Sequence, residues 1–179
     1  DINIPSFIKG IGMQKKVLSE IGLYYGSIAM PKGFEIDPKK LTGDIFYHKI
    51  YNTEFPVSTT LDMLQAYLTE HINLKYGFTL IPKETTGDFF TPQKSSLSML
   101  QVDPVDLKNS PDYVMLYGVD TKDCIVAIDY DDNRRKGRSW EIPLKSNDFV
   151  MFPSTQRYYI KLNKSEHINF VLTTTYEFI

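Results

Sequence analysis

Ser139-Trp140-Glu141-Ile142-Pro143-Leu144-Lys145-Ser146-Asn147-Asp148-Phe149-Val150-Met151-Phe152-Pro153-Ser154 contains two short apolar runs joined by a polar connector. Trp140, Ile142 and Leu144 alternate with Glu141 and Pro143, the period-two pattern of a strand with one buried face. Phe149 to Phe152 is apolar throughout, as in a strand buried on both faces. The connector Lys145-Ser146-Asn147-Asp148 leaves no room for a crossover helix, so the two runs are not parallel neighbours. Its length and polarity predict an antiparallel hairpin.

The same pattern extends in both directions. Residues 78–81, 96–102, 113–119, 124–130, 157–162 and 168–178 are further short runs rich in aromatic and β-branched residues, making eight in all. Asp120-Thr121-Lys122-Asp123 is a second short polar connector and again predicts a hairpin. A chain of this kind builds a sandwich or barrel, not a parallel α/β sheet.

The N-terminal part reads differently. Leu61, Leu64, Leu68 and Ile72 fall at helical spacing, Thr59 and Asp62 form a capping box, and Gly77 is a stop, predicting a helix over 60–76. Met13, Val17, Leu18 and Ile21 predict a weaker helix over 13–25, and Ile45-Phe46-Tyr47-His48-Lys49-Ile50-Tyr51 predicts a strand. The expected fold is mainly β with N-terminal helices (α+β), a jelly-roll barrel. One domain over 1–179 is expected, with 1–77 a helical covering part and 78–179 the β-barrel half.

Composition bounds the function. Hydrophobic residues are 42% and charged residues 23% of the 179, which disfavours disorder. A net charge of -2 provides no overall field for nucleic acid or anionic lipid, so neither is expected as a partner. No stretch is long and apolar enough to span a bilayer, and a soluble protein is expected. Cys124 is the single cysteine, within Cys124-Ile125-Val126-Ala127-Ile128, which excludes an internal disulfide and suggests a buried, inert thiol.

Asp148 and Phe152-Pro153-Ser154, with the run Ser95 to Val102, resemble the corresponding strands of the iron(II)- and 2-oxoglutarate-dependent oxygenases, notably small phage-type members. The resemblance covers about residues 85–179 and implies a double-stranded β-helix. It also implies an iron-binding His after Phe-Pro-Ser, an Arg for the oxoglutarate carboxylate on the next strand, and an earlier His-x-Asp or His-x-Glu. Here Tyr158 holds the position of the distal His and His167 that of the Arg. No His-x-Asp or His-x-Glu occurs, and the segment 89–94, where the first ligands are expected, has neither His nor carboxylate.

A facial iron site needs two imidazoles and a carboxylate, and a phenol is a poor substitute. The expectation is therefore a barrel without metal or cosubstrate and with no catalytic residues. It would serve as a structural or protein-interaction module, with a tailed-phage virion or assembly setting, in virion or host cytoplasm, implied by the resemblance alone. The alternative is a dioxygenase using iron(II) and 2-oxoglutarate through atypical ligands. A third reading is a ligand-binding jelly roll with an aromatic-lined interior.

Arg134, Arg135, Lys136 and Arg138 put four positive charges in five residues and are candidate contacts for a protein partner or a second copy. Asp129, Asp131 and Asp132 beside them weaken a nucleic-acid role, and the stretch lacks the Gly and the final Glu of a calcium loop. His48, His71 and His167 lie in three separate segments, which gives no basis for a shared metal site. Ser154 and Cys124 lack the neighbours of a nucleophile.

Overall fold

Leu41 and Ile45, one helical turn apart and both fully buried, set the frame of the first helix in the structure, a computed structural model describing residues 12–18, 21–28, 36–131 and 138–179. This helix, α1 (Pro38–Tyr51), occupies the segment for which a strand was expected over 45–51. Asp37 caps it by accepting from the Lys39 amide at 3.0 Å, and Pro38 stands at its first turn, where a missing amide proton costs nothing. The aromatic residues that suggested a strand are instead its exposed side, with Phe46, Tyr47, Ile50 and Tyr51 about half accessible.

The second helix, α2 (Thr59–Tyr76), follows the expectation closely. Its cap is Ser58, one residue earlier than expected, whose hydroxyl accepts from the Leu61 amide at 3.1 Å. It ends at Gly77, where φ is 70° and the amide reaches Asn73 O at 2.9 Å. Residues 12–18 hold no regular element, contrary to the helix expected over 13–25, and Tyr24–Ser27 forms a strand, β1.

Seven further strands follow: β2 (Leu80–Phe90), β3 (Tyr113–Asp120), β4 (Ile125–Asp131), β5 (Arg138–Pro143), β6 (Asp148–Pro153), β7 (Tyr158–Ile160) and β8 (Asn169–Phe178). They form a larger sheet in the order β1-β6-β3-β8-β2 and a smaller one in the order β5-β4-β7, with every pairing antiparallel. The run 96–102 is not a full strand. It joins the small sheet beside β7 through a bridge between Met99 and Tyr158 and a bond from the Ser96 amide to Ile160 O at 3.0 Å.

From β2 onward the chain visits the large and small sheets in turn, apart from one hairpin, β4–β5. That alternation is a double-stranded β-helix. It also corrects the reading of the two polar connectors, because 120–123 and 145–148 are corners that change sheets rather than hairpins. Asp123 and Asn147 supply left-handed turns at φ 52° and 67°. The corners brace each other, with the Leu144 amide on Cys124 O and the Asn147 amide on Gly118 O, both at 2.8 Å.

Two cores result. One lies between the sheets and includes Val114, Leu116, Val126, Phe152, Tyr158 and Val171. The other lies between the large sheet and the helices and includes Leu41, Ile45, Leu64, Leu68, Tyr117 and Tyr176. Buried side chains occupy the space between the sheets, and a cavity of about 320 Å³ opens beside two of them, Ile128 and Phe152.

Candidate functional site

Tyr158 opens β7 at the end of the barrel where β6 finishes, and it is fully buried. Its ring meets Phe152 edge-on, with centroids 5.1 Å apart. Gln101 Nε2 donates to its hydroxyl at 2.8 Å, and its backbone pairs with Met99 through bonds of 2.8 and 3.0 Å. Burial pushes the phenol pKa up and the bond from Gln101 opposes that shift, so the neutral form prevails at neutral pH. The side chains gathered at this position are a phenol, an amide and a thioether.

Gln101 also lines a polar cavity of about 240 Å³ whose walls include Lys83, Glu84, Asp103, Asp106 and Asn109. On the other side, Phe152 lines an apolar cavity of about 320 Å³ with Ile128, Tyr130 and Trp140. The Tyr158–Gln101 pair stands between the two.

His167 is placed elsewhere. It sits in the turn before β8, where Nε2 lies 3.0 Å from Asp120 Oδ1 at the far end of β3, with both side chains partly exposed. The segment 89–94 is at that same end, tied by the Gln93 amide to Asn163 O and by the Asn163 amide to Lys94 O, each at 2.8 Å. Tyr158, His167 and 89–94 therefore do not share a cavity. The residues facing Tyr158 are Met99 and Gln101, five and seven residues beyond the segment where first ligands were expected. The one sequence signal for this was a polar Gln101 set between Leu100 and Val102.

His48 and His71 lie on α1 and α2, where they pack against Phe55 and Tyr67. Among the described residues no group of three or more His, Cys, Asp or Glu is arranged to hold a metal. Cys124 is buried, and burial pushes its thiol up to about 12. Ser154 is buried and donates its hydroxyl to Pro111 O, pinning the end of β6 to the preceding loop. Of the basic cluster, Arg138 begins β5 and is exposed, while Arg134, Arg135 and Lys136 lie outside the described residues.

No protein-family profile matches the chain, and no curated protein sequence does. Solved structures do match. A Pseudomonas putida prolyl-4-hydroxylase superposes with a TM-score of 0.63 at 11% identity, over 89% of each chain. AviO1 from Streptomyces viridochromogenes Tue57 gives 0.63 at 12% identity, over 88% of this chain and 90% of that one. SnoN, a non-heme alpha ketoglutarate dependent epimerase from nogalamycin biosynthesis, gives 0.61 at 7% identity, over 87% and 77%. The chain has the oxygenase fold.

SnoN has been solved with Fe3+ and alpha ketoglutarate, and the donor chemistry of this chain can be tested against such a metal. Non-haem iron of the facial type takes imidazole and carboxylate ligands. The sequence resemblance puts the distal ligand at Tyr158, whose oxygen already accepts from Gln101. The Met99 thioether is a soft donor suited to other metals. The residues gathered at Tyr158 do not fit the iron, and His167, bonded to Asp120, is not a bidentate carboxylate clamp. No helix among the described residues is long and apolar enough to cross a membrane.

Proposed function

We propose that the chain is a non-catalytic interaction module on an oxygenase fold, with its partner a protein or a second copy. The observation that carries this reading is the bond from Gln101 to the buried Tyr158 hydroxyl at 2.8 Å, at the position to which the sequence resemblance assigns the distal metal ligand. Closing that position with a neutral pair leaves no acid–base or metal chemistry to perform there. The tailed-phage virion or assembly setting belongs to this proposal and rests on sequence resemblance. Detecting the chain by mass spectrometry in purified virions is its test.

A second reading is an iron(II)- and 2-oxoglutarate-dependent dioxygenase with atypical ligands. The structural likeness taken alone favours it, because neighbours such as SnoN and SnoK are alpha ketoglutarate dependent enzymes. The donor set at Tyr158 favours the first. Anaerobic titration with iron(II), followed by an assay for succinate from 2-oxoglutarate, separates them. The interaction reading expects no stoichiometric iron and no succinate above a buffer control; turnover would overturn it.

A further inference from the structure

Helix α1 carries apolar side chains on two opposite faces. Leu41 and Ile45 are buried in the core against the large sheet, whereas Phe46, Tyr47, Ile50 and Tyr51 are between 47% and 64% exposed on the other side. A helix that is apolar all round is normally covered on both faces, and among the described residues the outer face of α1 is open. The helix and both its flanks lie in the unbroken described span 36–131.

The outer face is complementary to itself. Gly43, Phe46, Tyr47 and Ile50 recur at i, i+3, i+4 and i+7, one stripe of the helix, and Lys39 and Glu54 extend it by four residues at either end. A Cβ added at Gly43 would meet nothing within 4 Å, so the stripe has a hollow there. Two such helices packed antiparallel, with a two-fold axis between Phe46 and Tyr47, place Gly43 opposite Ile50 and Phe46 opposite Tyr47. Ile50 of each copy then fills the hollow of the other. Lys39 falls opposite Glu54, just past the helix end, and neither is in an ion pair among the described residues.

The flanking cations are already neutralised, Lys40 by Asp44 at 3.1 Å and Lys49 by Asp88 at 3.5 Å. Two copies therefore approach without repulsion, and a strongly charged partner finds no complement. Three rings and an isoleucine, each about half accessible, offer roughly 400 Å² per copy and roughly 800 Å² per pair. That is short of the about 1,200 Å² of a stable interface and within the range of transient ones, which sets the expected affinity.

We propose that the outer face of α1 is a homodimer interface, with two copies of the helix packed antiparallel about the Phe46–Tyr47 position. This rests on the interaction-module reading and assigns its partner as a second copy.

Sedimentation of the 179-residue chain from about 1 to about 500 µM is expected to show a reversible monomer–dimer equilibrium with a Kd of about 10–100 µM. Ile50→Asp and Gly43→Leu are each expected to weaken it at least about tenfold. Gly43→Leu replaces a helix glycine with open space beside it, so this variant is expected to melt no lower than the parent, which separates a blocked hollow from a damaged fold. Lys39→Glu and Glu54→Lys each set like charges opposite one another and are expected to weaken dimerisation about threefold or more, and the double swap is expected to restore it.

A monomer up to about 500 µM overturns the proposal. So does a dimer indifferent to Ile50→Asp and Gly43→Leu, or a double swap no better than the single changes. The same preparation is assayed for succinate from 2-oxoglutarate. Turnover overturns the non-catalytic reading, whereas a monomer without turnover overturns the α1 interface alone.

Discussion

Tyr158→Phe removes one hydroxyl and leaves the ring packing on Phe152 intact. Gln101 then loses its buried acceptor but can turn towards the polar cavity it already lines, so the cost is expected to be about 1 kcal/mol in urea unfolding rather than the larger penalty of a stranded amide. An unchanged midpoint would mean the bond contributes nothing. A more searching change is Met99→His with Gln101→Asp and Tyr158→His, which puts two imidazoles and a carboxylate where the three side chains now meet. Iron(II) binding absent from the parent is expected in the triple variant, read by isothermal titration; failure to gain it would show that the backbone here no longer has the spacing of an iron site. At this scale Tyr158 was legible in sequence, because Phe152-Pro153-Ser154 fixes the count to it. Gln101 was not, since its role depends on a single bridge between segments 59 residues apart, and counting along the chain cannot see the turn that delivers His167 to Asp120.

Packing of α1 on the large sheet depends on Gly87 in β2, where an added Cβ would lie 2.7 Å from Ile45 Cγ1 and 2.8 Å from Phe55 Cε2. Ile45 is fully buried and has little room to yield. Gly87→Ala is therefore expected to destabilise by about 1–3 kcal/mol, and to lower the helical signal before the sheet signal if α1 is what gives way. A variant as stable as the parent would show that Phe55 simply moves aside. Helix α1 was missed by sequence reading, as was β1, and for α1 the reason is local: residues 45–51 have strand composition, whereas the frame that decides the matter, Leu41 with Ile45 after the Asp37 cap, begins upstream of the aromatic run. The barrel strands were legible because their alternation or continuous apolarity survives without knowledge of partners. Which sheet each strand joins was not, since 120–123 and 145–148 are as short and polar as hairpin turns, and only the braces between Leu144 and Cys124 and between Asn147 and Gly118 turn them into corners.

The molecule as a whole shares one large sheet between two cores, and both cores bury weak acids. Cys124 lies between the sheets, where burial raises its pKa from 9.0 to about 12. Tyr117 lies under the helices, where burial, with Asp148 adding to it, raises its pKa from 10.0 to about 12. Burial raises Tyr176 in that same core as well. In each case the folded chain keeps a proton that the unfolded chain releases sooner. The contribution to stability is therefore intact below about pH 9 and falls as pH rises from there towards about 12, the opposite slope to that of an ion-paired carboxylate. Because β3 carries Tyr117 towards the helices and Val114 and Leu116 towards the small sheet, opening either core releases the other, and one cooperative alkaline transition is expected. Tyr117, Tyr158 and Tyr176, three of the 12 tyrosines, should ionise only as the far-ultraviolet dichroism collapses, giving a late phase in tyrosinate absorbance that coincides with unfolding. Cys124 should resist iodoacetamide until the same pH. Tyrosinate absorbance that completes while the dichroism is still native would show that these side chains reach water without unfolding, and that the two cores are less tightly coupled through the large sheet than their packing implies.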